Sequence, residues 1–501
     1  MSTDISVDAR TGEQGDGRPA TSAADVASVL EAAAACAPAL AAAAPGVRRD
    51  WLHAVADAVS EPATTAALVE AADRETGLGV ERLTGEVARM AGQLRFYGDV
   101  AAEGSWLRAT IDPAAGTAPT LARVQVPLGP VAVFGASNFP FGFGTLGNDT
   151  ASALAAGCPV VVKAHPAHPR TAALLAETAR VALDAAGAPE GAFAQVVGFD
   201  AGAAIVTSPL VQAVAFTGSQ RGGMALWHMA AQREQVIPVY AEMGTVNPVV
   251  VTQGGAAERA DAIASGFVAS FTQGSGQFCT KPGLLLVPAG SGLGERVAEA
   301  MLRAAPRGWM LTEQIAVSAR AGITELTDAG ARVLAQAPAH EQGWSAPATL
   351  LQAGADALVR GSRFLEECFG PVALVVEHDG PPQLERVLGQ LQGTLAAAVM
   401  PGGADDPEVP ALVARLSALA GRVMVGDWPT GVAFTWAQQH GGPWPATSVP
   451  SATSVGAAAL DRFTRPVAYQ STPDAALPPA LQASNPWGVP RRVAGVLEGA
   501  S

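Results

Sequence analysis

Residues 129–165 read GPVAVFGASNFPFGFGTLGNDTASALAAGCPVVVKAH, and this stretch decides the fold class. GPVAVFGAS is typical of a short buried strand, TLGNDTASALAAG of a helix, and CPVVVKAH of a second strand. The alternation continues through a helix in 168–187 and strands in 191–199 and 211–219. Strands that alternate with helices predict βαβ units and a parallel sheet, with ligands bound at the carboxyl ends of its strands.

The regions on either side of this stretch predict further parts of the molecule. Residues 22–101 have the pattern of helices, and residues 106–126 contain two extended runs around a turn rich in Pro and Gly, which predicts a hairpin. A second α/β block runs over about 242–455. The polar, Gly-rich residues 1–20 are expected to be loosely ordered, and the Pro-rich tail of residues 476–501 is expected to wrap a surface.

Composition excludes several classes of function. The chain of 501 residues carries 31 Lys and Arg against 45 Asp and Glu, a net charge of −14. With no basic cluster, this balance argues against binding to nucleic acid or to an anionic membrane surface. The four cysteines match no zinc spacing, so we expect neither a metal site nor a disulfide framework. The sequence has no signal-peptide pattern and no unbroken apolar run of membrane-spanning length, which predicts a soluble, cytoplasmic protein.

Two glycine-rich runs compete as the phosphate site of a dinucleotide. GFGTLG at 142–147 matches G-x-G-x-x-G by letter, but the preceding strand ends near Phe134, so these glycines do not form the first strand-to-helix turn. FTGSQRGG at 216–223 follows a strand directly and opens a helix, whose N–H groups suit a pyrophosphate. An ordinary Gly-rich turn would have the same letters. If the site is real, it contains Gly218, Ser219 and Gly223.

The second strand ends in a lysine rather than in an acid. Lys163 is followed by His165 and His168, with no carboxylate at the place where one would bind a ribose 2′-hydroxyl. A cation there suits a 2′-phosphate, so NADP is favoured as the cofactor and NAD is the weaker candidate. Lys163 and His165 are therefore candidate cofactor residues. The alternatives are a solvated lysine at a strand end and histidines that only pack the loop.

Six motifs, taken in order, resemble those of the aldehyde dehydrogenase superfamily over nearly the whole chain. They are GPVAVFGASNFPFGFG, VVVKAHPAHP, FTGSQRGG, AEMGTVNPVV, GSGQFCTKPG and EECFGPV. AEMGTVNPV, QFCTKPGL, QHGGPWPATS and the tail LPPALQASNPWGVPRRV are similar to those of one subgroup, the NADP-dependent α-ketoglutarate semialdehyde (2,5-dioxopentanoate) dehydrogenases. NADP-dependent long-chain aldehyde dehydrogenases share the pattern K-x-H-P-A-H-P.

The resemblance implies an α/β aldehyde dehydrogenase fold with two Rossmann-like, doubly wound domains and a small β oligomerisation hairpin. It assigns the cofactor-binding domain to 21–105 and 127–241, the oligomerisation element to 106–126 and 460–475, and the catalytic domain to 242–459. The implied reaction is NADP-dependent oxidation of an aldehyde to a carboxylate through a cysteine thiohemiacetal and thioester. The favoured substrate is 2,5-dioxopentanoate, which gives 2-oxoglutarate; fatty or other aliphatic aldehydes are the alternative.

The resemblance also assigns the chemistry to particular residues. Cys279 is the nucleophile, and because the thiolate reacts, its pKa should be lowered by nearby N–H groups or charge. Asn138 and the Cys279 N–H donate to the oxyanion, and Ser137 beside Asn138 contacts the cofactor. Glu242 is the general base for the deacylating water, with a pKa raised by an apolar setting. Without the resemblance these would be an inert thiol, a turn residue and an exposed glutamate. The inert interpretation is kept for Cys36, Cys158 and Cys368.

The remaining candidate residues contact the nicotinamide or the substrate. Glu367 and Phe369 resemble the family pair that holds the nicotinamide ribose and packs beside the ring. Arg95 is assigned to the distal carboxylate of the substrate, with a surface ion pair as the alternative. Phe141 and Phe463 are assigned to the aldehyde tunnel, although aromatic core residues have the same appearance in sequence.

Assembly and an alternative class of enzyme remain to be considered. The hairpin at 106–126 and the strand near 464–470 resemble oligomerisation elements and would leave exposed edges in a monomer, so we expect a homodimer or homotetramer. A cofactor-independent cysteine acyl hydrolase is the alternative from another class. It would need a base such as His placed to activate the thiol, and it would leave Lys163 and Glu367 without a role.

Overall fold

The computed structural model describes residues 3–499, which contain nineteen β-strands and fourteen α-helices. The strands are β1 (Thr3–Val7), β2 (Gln14–Pro19), β3 (Ala109–Asp112), β4 (Leu121–Pro127), β5 (Val131–Phe134), β6 (Val160–Lys163), β7 (Phe193–Val196), β8 (Ala213–Gly218), β9 (Val239–Met243), β10 (Pro248–Val251), β11 (Leu284–Pro288), β12 (Arg332–Ala337), β13 (Ala348–Gly354), β14 (Val372–His378), β15 (Thr394–Met400), β16 (Ala420–Val425), β17 (Thr464–Gln470), β18 (Arg491–Val493) and β19 (Val496–Glu498). The helices are α1 (Ala23–Ala42), α2 (Pro45–Ser60), α3 (Pro62–Thr76), α4 (Val80–Glu103), α5 (Asn148–Ala156), α6 (Pro169–Ala185), α7 (Phe199–Thr207), α8 (Gln220–Ala231), α9 (Gln253–Glu258), α10 (Ala260–Thr272), α11 (Leu293–Ala304), α12 (Glu313–Asp328), α13 (Pro381–Gln390) and α14 (Val409–Ser417).

Five parallel strands form the first sheet, in the order β7-β6-β5-β8-β9. Alternate side chains of β5 enter different cores, with Val131 and Val133 in one and Ala132 in the other, so both faces of the sheet are covered. The chain adds β6 and β7 on one side of β5, then β8 and β9 on the other. The order therefore reverses between β5 and β8, the place where ligands bind in such sheets.

Seven strands form the second sheet, in the order β12-β13-β14-β11-β10-β15-β16. Among its described strands β12 alone is antiparallel to its neighbour. Val249 and Val251 of β10 enter one core and Val250 enters the other. The strand order reverses between β10 and β15. Two doubly wound sheets of this kind confirm the predicted fold class.

A third sheet has the order β17-β4-β3-β18-β19. Its centre is the expected hairpin of β3 and β4, and β17 pairs along the whole of β4, from Thr464 opposite Pro127 to Gln470 opposite Leu121. The C-terminal tail adds β18 parallel to β3, and β19 follows as an exposed outer strand. The outer strands β17 and β19 leave backbone donors and acceptors at both edges of this sheet.

The N-terminal residues differ from the expectation of a loosely ordered stretch. Residues 3–19 form an antiparallel hairpin of β1 and β2. After β1 the buried Ala9 and the ion pair of Arg10 with Asp73, 2.7 Å between Nη2 and Oδ1, attach the hairpin to α3. The hairpin could not be predicted from the polar sequence. It is held by backbone pairing and by the buried Ala9 rather than by an apolar face.

The boundary between the two α/β units also differs from the expected one. Glu242 lies in β9, which pairs with β8, so the first sheet extends through Met243. The second sheet begins at Pro248. The apolar run VYAEM carries the strand across the expected boundary at 241/242, and the break comes only after Met243.

Helix α1 is, among residues 3–499, the one helix long and apolar enough to cross a membrane by length and composition. In the structure it packs on the first domain through Val26, Leu30 and Ala33, which belong to a core shared with β5 and β8. Five of its twenty residues are buried, and 28% of its most apolar stretch is buried.

Candidate active site

Cys279 lines a cavity of about 240 Å³. It follows α10 and a 3-10 turn in which Gly274 and Ser275 have φ of 55° and 58°, a left-handed conformation that reverses the chain before β11. The Asn247 amide then fixes the segment by donating to the Cys279 carbonyl at 2.8 Å and to the Lys281 carbonyl at 3.1 Å. The thiol is thus held by a tight turn and a buried amide.

The structure brings a histidine to this thiol. His440 Nε2 lies 3.6 Å from Cys279 Sγ, although 161 residues separate the two in sequence. The imidazole is buried, and the backbone N–H of His440 donates to Thr453 Oγ1 at 2.8 Å, which fixes the loop that carries it. A neutral imidazole at this distance can accept the thiol proton.

Glu242 at the end of β9 completes the cluster. Its Oε1 lies 2.8 Å from His440 Nε2 without making a hydrogen bond, and the same Nε2 lies 3.6 Å from Cys279 Sγ. Its Oε2 accepts from the Ser454 hydroxyl, and the residue is 4% exposed. The carboxylate, imidazole and thiol donor atoms lie within 4.8 Å of one another, so the same three groups could hold a metal ion.

The pKa of the Cys279 thiol is raised well above its ordinary value. Burial is the largest cause, and the negative charges of Glu242 and Glu367 add to it. Arg422 and a hydrogen bond from the Thr280 backbone act in the opposite direction but are weaker. The prediction of a lowered pKa is therefore wrong, because the sequence showed neither the burial of the thiol, which is the main cause, nor how close the two carboxylates lie. The thiol needs a base to react, and His440 is adjacent.

Asn138 follows β5 and reaches the Cys279 segment from the first domain. Its side-chain Nδ2 donates to the Gln277 carbonyl at 2.8 Å, and Arg82 Nη2 donates to the Asn138 carbonyl at 2.9 Å. An amide nitrogen has two hydrogens, so one remains for a substrate oxygen. The first domain thus contributes Asn138 and Glu242 to the site, and the second contributes Cys279.

The strand order of the first sheet reverses between β5 and β8, and this place is suited to bind the phosphates of a dinucleotide. β8 ends at Gly218 and α8 begins at Gln220, whereas residues 142–147 lie in turns between β5 and α5. Gly218 and Ser219 are exposed, and Ser219 caps α8 by accepting from the Gly222 N–H at 3.1 Å. A Cβ at Gly223 would lie 2.8 Å from Met243 Sδ, so glycine lets α8 pack closely on β9.

Lys163, at the end of β6, lies near a carboxylate, although the local sequence predicted none. Asp4 of the N-terminal hairpin attracts its ammonium group; burial lowers the pKa of Lys163, and Asp4 partly opposes that. The Lys163 Nζ lies 4.6 Å from the centre of the Phe199 ring. His165 Nδ1 accepts from the Ala167 N–H at 3.1 Å, a contact that packs the loop. The local sequence showed no acid here because Asp4 comes from the distant N-terminus.

Glu367 lies against the backbone that follows Glu242. A Cβ at Gly244 would lie 2.0 Å from Glu367 Oε2, so the carboxylate occupies space that only glycine leaves open. Burial raises the pKa of Glu367 to about 7, opposed in part by Lys281. Lys281 is itself buried and donates to two backbone carbonyls. Phe369, beyond Glu367, is half-buried.

Comparison with known proteins shows the family of this chain. Residues 5–444 match the aldehyde dehydrogenase family. The chain belongs to that family. This aldehyde dehydrogenase is 47% identical over 454 residues to α-ketoglutaric semialdehyde dehydrogenase 2 of Azospirillum brasilense, which covers 89% of this chain and 86% of the relative. It is 41% identical over 460 residues to α-ketoglutaric semialdehyde dehydrogenase of Acinetobacter baylyi, which covers 90% and 87%.

Solved structures share the fold of this aldehyde dehydrogenase. An NAD-dependent aldehyde dehydrogenase from Sinorhizobium meliloti has a TM-score of 0.81 at 24% identity, over 94% of this chain and 92% of that one. An NADP-dependent enzyme of E. coli has a TM-score of 0.80 at 22% identity, over 94% of both chains. Together with the family match, which shows an oxidoreductase of a family that uses NAD or NADP, these structures confirm the fold.

Three residues assigned to the substrate lie elsewhere in this aldehyde dehydrogenase. Arg95 is on the surface, where its Nη2 lies 2.6 Å from Asp57 Oδ1 and its side chain is 40% exposed. Phe141 and Phe463 are fully buried in the core of the first domain. These assignments are corrected: a helix or loop pattern does not show which face meets the cavity. Other aromatic residues line it, namely Phe139, Phe143 and Phe278.

Sequence reasoning missed two groups of residues at this site. His440 lies in a loop without periodicity, and its only signal was membership in the subgroup motif QHGGPWPATS. Arg82 and Arg89 lie on α4 and line the cavity beside Cys279. Their signal was the spacing of about two helical turns in VERLTGEVARM, which places both on one face.

Proposed function

We propose that this enzyme oxidises 2,5-dioxopentanoate to 2-oxoglutarate, with NADP as the hydride acceptor. The observation that carries the proposal is the 47% and 41% identity to two α-ketoglutaric semialdehyde dehydrogenases over 89% and 90% of the chain. The cluster of Cys279, His440 and Glu242 supports it, because it brings a nucleophile and two bases within reach of one another.

The reaction begins at Cys279. The thiol passes its proton to His440 Nε2 while sulfur attacks the aldehyde carbon, and the carbonyl electron pair moves to oxygen. The free amide hydrogen of Asn138 and the Cys279 N–H donate to that oxyanion. When bound, NADP supplies the hydride acceptor that converts this thiohemiacetal into a thioester on Cys279.

Hydrolysis of the thioester regenerates the enzyme. Glu242 takes a proton from water, the resulting hydroxide attacks the thioester carbon, and the carbon–sulfur bond breaks. The leaving sulfur recovers its proton from His440, and Glu242 returns its proton to solvent. The products are the carboxylic acid, which ionises to the carboxylate, and the Cys279 thiol. Glu242 suits this role because its Oε1 makes no hydrogen bond to the described residues and lies within the same cluster.

The cofactor is held by residues at the reversal of the first sheet. Gly218, Ser219 and the α8 N-terminus bind the pyrophosphate, with Gly223 permitting the close packing of that helix. Lys163 binds the 2′-phosphate, and the nearby Asp4 carboxylate reduces the positive charge at this end of the crevice. Glu367, Phe369 and Ser137 contact the nicotinamide half.

The enzyme acts as a soluble cytoplasmic homo-oligomer, a homodimer or homotetramer. The exposed edges β17 and β19 of the third sheet support self-association, since unpaired strand edges are sites for pairing with another chain. Light scattering at micromolar concentration would test this, and a mass of 50.5 kDa, that of one chain, would contradict it.

A specific observation also favours a second activity. The base that a cofactor-independent acyl hydrolase would need is present in His440, 3.6 Å from the thiol. Hydrolysis of an activated ester such as p-nitrophenyl acetate would therefore proceed at Cys279 without NADP. A slow ester hydrolysis beside a fast NADP-dependent oxidation would assign this as a side reaction.

Steady-state kinetics test the main proposal. NADP and NAD reduction would be measured with 2,5-dioxopentanoate, succinic semialdehyde and a long-chain aldehyde, with Cys279→Ala as the control. The proposal expects the highest kcat/KM for 2,5-dioxopentanoate with NADP and no activity in the variant. A long-chain aldehyde with the highest kcat/KM would overturn the substrate assignment.

A further inference from the structure

The cavity beside Cys279 is lined by two arginines from one face of α4. Arg82 and Arg89 are separated by about two helical turns, with Glu86 between them, so the three side chains share a face. Burial lowers the pKa of both guanidinium groups, and Glu86 opposes that. An arginine remains a cation at neutral pH even after such a shift.

Each arginine is fixed by protein contacts but keeps a free donor. Arg82 lies between the Phe139 and Phe278 rings, 5.2 and 5.0 Å from their centres, and donates from Nη2 to the Asn138 carbonyl. Arg89 Nη2 donates to the Val432 carbonyl. Arg82 Nη1 and Arg89 Nε are buried and have no acceptor among the described residues. Both residues also line the cavity, so an acceptor on a ligand there would meet their guanidinium groups.

The residues that line the cavity carry a net positive charge, which favours the binding of an anion. Glu86 is the one acid among the described residues that line it, and its Oε1 is already occupied by the N–H groups of Phe141 and Gly142, each at 3.0 Å. Two guanidinium cations therefore face one carboxylate that backbone donors satisfy in part. The Arg422 guanidinium adds positive charge nearby. It donates to the carbonyl of Gly431, a residue that lines the cavity, at 2.8 Å.

We propose that Arg82 and Arg89 bind the distal carboxylate of the substrate while its aldehyde carbon lies at Cys279. The inference rests on the proposed function and deepens it, because it names the residues that select ω-aldehyde acids over aldehydes without a charged end. A carboxylate has two acceptor oxygens and suits two guanidinium groups that each offer a donor. The rings of Phe139, Phe143 and Phe278 contact the carbon chain between the two ends.

Variants of the two arginines test this selection. Arg89→Gln would lower kcat/KM for 2,5-dioxopentanoate by about 10- to 100-fold, mainly through KM, and change kcat/KM for pentanal by much less. Arg82→Gln would have the larger effect on 2,5-dioxopentanoate too, but would also slow pentanal oxidation, because Arg82 holds the Asn138 carbonyl. Arg95→Gln, the same change on the surface of the same helix, would alter neither. If both cavity variants lost activity equally with the two aldehydes, or kept the wild-type preference, the proposal would be wrong.

Inhibition of the wild-type enzyme gives a test that needs no variant. Glutarate, which has a distal carboxylate, would inhibit pentanal oxidation about tenfold or more strongly than pentanoate, which lacks one. Equal inhibition by the two acids would overturn the role of the arginines, even if a variant failed to fold. If pentanal were oxidised better than 2,5-dioxopentanoate, the proposed function would fail. The glutarate result would still test whether Arg82 and Arg89 bind a carboxylate.

Discussion

His440 Nε2 lies 3.6 Å from Cys279 Sγ, and this contact decides how a thiol with a raised pKa can react. Near neutral pH such a thiol is almost wholly protonated, so its nucleophilicity depends on a group that takes the proton as the bond to carbon forms. The imidazole is buried beside the sulfur. It therefore supplies locally what the ordinary ionisation of cysteine does not.

Replacing His440 should slow attack by the thiol. His440→Gln is expected to lower kcat/KM by about 10²- to 10⁴-fold, the usual contribution of a general base. In this variant the rate of Cys279 alkylation by iodoacetamide should rise about tenfold per pH unit from pH 7 to 9, because only the ionised thiol reacts and its pKa lies above that range. The wild-type rate should depend less on pH.

The control for this experiment is His53→Gln, the same change at a histidine that pairs with Asp99 away from the cavity. It should leave both the turnover and the alkylation profile unchanged. Identical pH profiles for the wild type and His440→Gln would contradict the assignment of His440 as the base.

Glu242→Gln should change two rates in opposite directions. The Glu242 carboxylate raises the pKa of Cys279, so its removal should speed alkylation of the thiol at neutral pH. Turnover should nevertheless fall by about 10²- to 10⁴-fold, because the deacylating water loses its base. A pre-steady-state burst of NADPH followed by slow turnover would separate the two effects, with Glu258→Gln at the surface as control. A variant without a burst would place Glu242 in acylation instead.

The fold and the chemical residues could be predicted from sequence to different degrees. The βαβ pattern around GPVAVFGAS was visible because fully buried strands read as short apolar runs, and Cys279 lay in a motif with a strong resemblance. His440 was not visible as a partner of Cys279, because 161 residues separate them and only the folded loop brings them together. Arg95 was the predicted substrate residue, whereas Arg82 and Arg89 line the cavity; helical spacing shows which residues share a face but not what that face contacts.

The cofactor preference should depend on Lys163 and Asp4. Lys163→Met is expected to raise KM for NADP by about 10- to 100-fold and to leave KM for NAD nearly unchanged, since only NADP carries the 2′-phosphate. Asp4→Asn should act in the other direction, because its carboxylate attracts the Lys163 ammonium group and would repel the phosphate. The ratio of the two KM values in each variant is the measurement. Equal changes for NAD and NADP would remove Lys163 from the 2′-phosphate site.

Glu367 should make stability depend on pH. Its pKa is raised from 4.5 to about 7 by burial, so the protonated form is favoured in the folded protein. The stabilisation is complete below pH 4.5 and is lost as pH rises through about 7, a change of about 3 kcal/mol in the free energy of unfolding. Glu367→Gln stays neutral throughout. The thermal midpoint of Glu367→Gln minus that of the wild type should therefore increase as the pH rises from 5 to 8. The control Glu366→Gln, a change at the exposed neighbouring residue, should show no such increase. Parallel curves for Glu367→Gln and the wild type would show that the carboxyl ionises in the folded protein as it does in the unfolded chain.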